Sequence, residues 1–127
     1  MSNVEQLKVW EKSIELATLI YSYTRDWKDF WLANQMQRAS VSIWSNLAEW
    51  CDRETYKEYI RFIYIARWSC SELKTQLYIA HNIWYLDKEK LEDIMILIQD
   101  IHKMLNGLIS HLRKQINDNN KNHISNN

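Results

Sequence analysis

Over residues 54–84 the chain repeats apolar or small side chains at steps of three and four: Tyr56, Tyr59, Ile63, Ala66, Cys70, Leu73, Leu77, Ala80 and Trp84. This spacing keeps one stripe of a helix facing inward for about four heptads. At 1.5 Å per residue it predicts a rod of about 45 Å. A rod with one apolar stripe buries it only against other helices, and the remaining sequence is patterned to supply them.

Over residues 5–24, Leu7, Trp10, Ile14, Ala17 and Tyr21 recur at helical spacing, with Lys8, Glu11, Lys12 and Glu15 on solvated faces. Residues 25–31 break that period and carry Trp27, Phe30 and Trp31, which predicts a connection with aromatic anchors. Helix two, over residues 32–50, combines apolar Met36, Ala39, Ile43 and Leu47 with small polar Ser40, Ser42, Ser45 and Asn46, which admit a neighbouring helix closely. Helix four carries Leu91, Ile94, Ile98, Ile101, Leu105, Leu108 and Leu112, and Leu97, Met104 and Ile109 widen its apolar face. Asp52 and Asp87 are placed to cap helices three and four by accepting from first-turn N–H groups. After Ile116 the run NDNNKNHISNN lacks apolar content, so residues 117–127 read as a disordered polar tail. With no strand pattern, residues 1–116 predict an all-α fold, an antiparallel up-and-down four-helix bundle.

A chain of 127 residues suits a single domain. Lys plus Arg equals Asp plus Glu at 16 each, so no global field draws the protein to nucleic acid or an anionic membrane, and a nucleic-acid surface has to be a local patch. No apolar run is long enough to span a bilayer, and MSNVEQLKVW is too polar for a secretory signal; a soluble, cytoplasmic protein is expected. Cys51 and Cys70, 19 positions apart, would stand about 28 Å apart along a helix, beyond disulfide reach, and are expected as reduced thiols.

A four-helix bundle invites a search for a di-metal centre, which needs Glu-x-x-His motifs. Residues three before His81, His102, His111 and His123 are Tyr78, Gln99, Leu108 and Asn120, so that ligand set is missing and no metal or cofactor is expected. The serines lack a nearby His with an acid partner, and no Gly-rich loop is available for phosphate. Glu49 and Glu72 could form a carboxylate pair, though such residues more often anchor Arg or cap backbone. No enzymatic activity and no small-molecule substrate are expected. Arg53, Lys57 and Arg61 recur every four residues, with Arg67 extending the stripe and Tyr56 and Tyr64 beside it. Phosphate could bind there; alternatively Glu54 and Glu58 neutralise the stripe through local pairs, as the zero net charge favours.

The blocks LKVWEKSIELA, LANQMQRASVSIWSNLAEW, KEYIRFIYIARWSCSELKTQLYIA and MLNGLISHL together resemble the small four-helix-bundle proteins encoded in intervening sequences of bacterial 23S ribosomal RNA genes. The resemblance covers nearly the whole chain. It implies a left-handed antiparallel bundle that commonly forms a homopentamer, and a relationship to the accessory proteins of diversity-generating retroelements, which bind reverse transcriptase and RNA. Carried onto this chain, it makes Arg38, Arg53, Lys57, Arg61 and Arg67 candidate RNA contacts. Ser42, Ser45, Asn46, Glu49, Tyr59 and Glu72 become mainly structural positions.

Two departures stand out. Gln37 and Arg38 occupy sites where the family usually has two consecutive basic residues, and the neutral net charge weakens the RNA reading. Trp44 stands where the family has Pro, Trp31, Trp50, Trp68 and Trp84 where it has Gly, and Trp27 at a former Pro or loop site, whereas Trp10 looks native. Selective replacement of helix breakers reads as an engineered family member. Losing an interior Pro relieves about 3 kcal/mol and an interior Gly about 0.5 kcal/mol, so helices two and three gain regularity. Trp at a C-cap that needs positive φ would instead strain the turn, or the helix would run on. Helices two and three are therefore expected to fuse and exchange partners between chains. Trp27, Trp31, Trp44, Trp50, Trp68 and Trp84 are candidate interface residues; the other reading has Trp44 and Trp68 filling the core. The leading expectation is a non-enzymatic, self-assembling bundle, with an RNA- and reverse-transcriptase-binding accessory protein as the alternative.

Overall fold

In a computed structural model, which describes residues 3–50 and 55–125, the chain forms four helices: α1 (Asn3–Thr24), α2 (Phe30–Trp50), α3 (Tyr56–Asn82) and α4 (Lys88–Ser125). The start of each later helix follows from a side-chain cap. Asp29 Oδ1 accepts from Leu32 N at 2.9 Å, Thr55 Oγ1 from Glu58 N at 3.2 Å, and Asp87 Oδ1 from Lys90 N at 2.8 Å. Asp87 thus caps as expected. For α3 the cap is Thr55 with extended backbone, in place of Asp52, which lies outside the described residues together with Cys51, Arg53 and Glu54.

Side-chain contacts fix the helix directions. Moving up α3, Tyr64, Arg67 and Lys74 meet Arg113, Asn106 and His102, so α3 and α4 run antiparallel. Lys12 pairs with Asp100 at 3.9 Å and Tyr23 lies under Lys90, which makes α1 and α4 antiparallel too. Ser69 Oγ donates to Ser42 Oγ at 2.8 Å across α2 and α3. Each helix packs against two neighbours and none packs across the diagonal. Because α2 and α3 dock on each other within one chain, the expected fused rod is corrected: α2 and α3 are separate helices packed side by side.

The core follows the α3 repeat closely. Ile63, Ala66, Cys70, Leu73, Leu77 and Ala80 are fully buried, as are Ile94, Ile98, Ile101, Leu105 and Leu112 of α4 and Met36 and Ile43 of α2. Helix α1 departs from expectation. Of the stripe Leu7, Trp10, Ile14, Ala17 and Tyr21 only Ala17 is buried; Val9, Ser13, Leu16, Ile20 and Thr24 face the core instead. The helix carries apolar residues on two stripes, and periodicity alone does not choose between them. Helix α4 also differs: it continues to Ser125 where a disordered tail after Ile116 was expected, with every side chain of residues 117–124 exposed. No Pro or Gly interrupts that run, and extending an existing helix avoids the cost of nucleation.

At the end of α3, Trp84 N donates to His81 O at 3.1 Å and Tyr85 N to Ala80 O at 3.0 Å, the paired bonds of a Schellman cap. Trp84 occupies its left-handed position, with φ 71°, and is 94% exposed. A Cβ is disfavoured in that conformation, and here no side-chain burial offsets the cost. Tyr85 next to it stacks on Trp27 at 5.2 Å, so that Trp27 is only 8% exposed and closes this end of the core. Trp84→Gly should therefore raise stability by about 1 kcal/mol in urea denaturation, whereas Trp84→Ala, which keeps a Cβ, should not.

Candidate functional site

The small polar residues of α2 bond mostly within α2, and Ser42 joins it to α3. Asn46 Nδ2 donates to Ser42 O at 2.7 Å and Ser42 Oγ at 3.1 Å, Ser45 Oγ donates to Ser42 O at 3.4 Å, and Ser69 Oγ bonds Ser42 from α3. Ser40 Oγ donates to Gln37 O, and Gln37 Nε2 donates to Thr24 Oγ1 at 2.9 Å, tying α2 to the end of α1. Tyr59 is half-buried against the core, while Glu49 and Glu72 are exposed. With Ser42 opposite Ser69, Glu49 is level with about residue 62, some 15 Å along the axis from Glu72, so the two do not form a carboxylate pair. Burial pushes the Cys70 thiol up to about 12, which keeps it protonated and unreactive. Among the described residues no group of three or more His, Cys, Asp or Glu could hold a metal ion.

The sequence-nominated cations do not form one patch. Lys57 and Arg61 are exposed near the start of α3 and make no ion pair among the described residues, so Glu58 does not neutralise them at contact distance. Arg38 is exposed on α2 at the level of about residue 73, roughly 24 Å along the axis from Lys57. Arg53 is outside the described residues. Arg67 turns towards α4, where Nη1 donates to Asn106 Oδ1 at 3.1 Å and the guanidinium lies 5.1 Å from the Tyr64 ring.

Docking of α4 beside α3 adds cations that the linear pattern of α3 does not contain. Arg113 donates to the Tyr64 hydroxyl and lies 5.4 Å from the same ring; Lys74 Nζ donates to His102 Nδ1 at 2.9 Å. Burial, then Lys74 and Arg67, hold the His102 imidazole below its ordinary value, so it is neutral and accepts the Lys74 proton bond. Lys74, His102, Asn106 and Arg113 escaped sequence reasoning because they come together only across two helices.

A third surface is apolar. The unused stripe of α1 contributes Ile14 and Tyr21 to a groove of about 730 Å³ that Val41 and Trp44 of α2 line from the other side. Trp44 is half-buried there, between the interface and core-filling expectations. Trp31 and Trp68 are 72% and 64% exposed, so Trp68 does not fill the core. Trp27, in contrast, is no interface residue, being stacked inside its own chain, and the Trp50 side chain lies outside what is described. No helix is long and apolar enough to cross a membrane among the described residues.

The fold is an antiparallel four-helix bundle whose exposed cations and unburied apolar side chains sit on outer helix faces. Residues 5–107 match the family described as 23S rRNA-intervening sequence protein, and the chain belongs to that family. It is similar to a protein of unknown function from the S23 ribosomal protein family of Bacteroides thetaiotaomicron VPI-5482, solved at 1.70 Å. The TM-score is 0.75 and the identity 27%, covering 80% of this chain and 97% of the other. Comparison with curated proteins finds no significant match.

The depressed His102 value has a sign that can be checked. The unfolded chain binds a proton near pH 6.5 and the folded chain only below that, so this residue removes stability as pH falls through and below about 6.5. The drop in melting temperature between pH 7.5 and pH 5 should be smaller for His102→Gln than for the parent protein.

Proposed function

We propose that this member of the 23S rRNA-intervening sequence protein family is a non-enzymatic scaffold that assembles with copies of itself through the α1–α2 face. The observation that carries this reading is the second apolar stripe of α1. Leu7, Trp10, Ile14 and Tyr21 remain exposed on a helix whose other stripe already fills the core. A contiguous apolar face that the fold leaves in water is a normal mark of an interface. The resemblance to the family implies a homopentamer, and a ring of that kind sets one patch against a different patch on the next subunit. Exposed Trp68, on the helix diagonal to α1, supplies apolar surface for the second patch. The left-handed backbone at Trp84 supports reading the tryptophans as glycine replacements in an engineered family member. The buried free thiol of Cys70 suits a reducing cytoplasm.

Light scattering should give a mass several times the 15.5 kDa of one chain, and Ile14→Glu should shift it towards the monomer without loss of helix content. A monomeric parent protein at micromolar concentration would remove the reading. The second reading, an RNA- and reverse-transcriptase-binding accessory protein, is favoured by Lys57 and Arg61, exposed and without ion pairs among the described residues. It requires salt-sensitive RNA binding that Lys57→Glu with Arg61→Glu abolishes. Absence of any RNA mobility shift at low salt sinks it.

A further inference from the structure

We propose that the α3–α4 seam bounded by Arg67, Lys74, His102 and Asn106 is a binding site for a phosphate group. On α3, Arg67 and Lys74 are seven residues apart and share one face; on α4, His102 and Asn106 are four apart and share the facing one. The two cross-helix bonds, 3.1 Å from Arg67 to Asn106 and 2.9 Å from Lys74 to His102, hold these four side chains in one half-exposed patch. Just along the seam, Arg67 and Arg113 both stand about 5 Å from the Tyr64 ring. The ion pairs among the described residues include none of these cations.

The donor set suits a tetrahedral oxyanion. A planar guanidinium offers paired N–H groups, an ammonium offers a point charge, and the Asn106 amide adds a neutral donor. The two cations are at present met by neutral partners, Asn106 Oδ1 and the His102 ring, rather than by a carboxylate. A phosphate replaces those partners with charge-assisted bonds. The groups facing His102 confirm the sign of the field. From α3 these are Arg67 and Lys74; on its own helix Asn106 is neutral, and the Asp100 carboxylate is drawn to Lys12 of α1 at 3.9 Å. An arriving anion lets His102 take up a proton and become a further donor. The site shares Arg67 with the candidate RNA contacts but excludes Lys57 and Arg61 and adds Lys74, His102 and Asn106, so the two readings separate at those residues.

The test is nuclear magnetic resonance titration of the His102 imidazole in low-salt chloride buffer, with three probes: inorganic phosphate, a nucleoside monophosphate, and a dinucleotide joined by a phosphodiester without terminal phosphate. Saturation with inorganic phosphate should raise the His102 titration midpoint. Lys74→Gln and Arg67→Gln should each weaken phosphate binding about tenfold or more, with Lys57→Gln unchanged and all variants retaining parental helix content. Binding of the monophosphate but not the diester supports a site for free or terminal phosphate; binding of both supports a site for backbone phosphate. An unmoved His102 midpoint overturns the proposal. So does equal weakening by Lys57→Gln, which would mean diffuse charge attraction.

Discussion

The close seating of α3 between α2 and α4 governs the rest of the molecule. Its inward stripe of Ile63, Ala66, Cys70, Leu73, Leu77 and Ala80 is dry, and small residues on that stripe let both neighbours approach. Burying one Leu is worth about 2 kcal/mol, whereas the Ser42–Ser69 bond nets about 1 kcal/mol. Apolar burial therefore supplies the stability, and the hydroxyl pair helps to select the register. Once that register is set, Arg67 faces Asn106 and Lys74 faces His102 without further adjustment.

Helix α1 is held more economically, and its position explains the exposed apolar face. Val9, Leu16 and Ile20 are enough to dock it, with Ser13 and Thr24 turned inward and satisfied by backbone carbonyls at 2.6 and 2.7 Å. The bundle therefore closes without Leu7, Trp10, Ile14 and Tyr21. A helix with two apolar stripes in a four-helix bundle has one more face than its own chain can cover, a surplus that a second subunit can use.

The aromatic residues behave according to their backbone setting rather than as one class. Trp27 falls where two connections meet at the same end of the bundle, so it stacks on Tyr85 and is buried. Trp84, two helical connections away in sequence but adjacent to Tyr85, is driven outward by the left-handed cap it occupies. The cap bonds to the Ala80 and His81 carbonyls form with Trp84 in the left-handed position that glycine usually takes, and Leu86 beyond them is buried.

Much of the architecture was legible in the residues themselves. The α3 and α4 seams, the Asp87 cap and the antiparallel bundle follow from spacing, because burying one helical stripe is a local requirement with a fixed period. Ser45 and Asn46 bond back to Ser42 within α2, contacts set by the i, i+3 and i, i+4 spacing of one helix. What the sequence left open were choices among competing local possibilities: which stripe of α1 turns inward and whether α2 runs on into α3. Tertiary docking decided these, because they depend on the total apolar area and on the space between helices rather than on any one segment. The cation seam belongs to the same category: Arg67 and Lys74 are ordinary surface residues on α3 until α4 brings His102, Asn106 and Arg113 beside them, and charge acts through space, not along the chain.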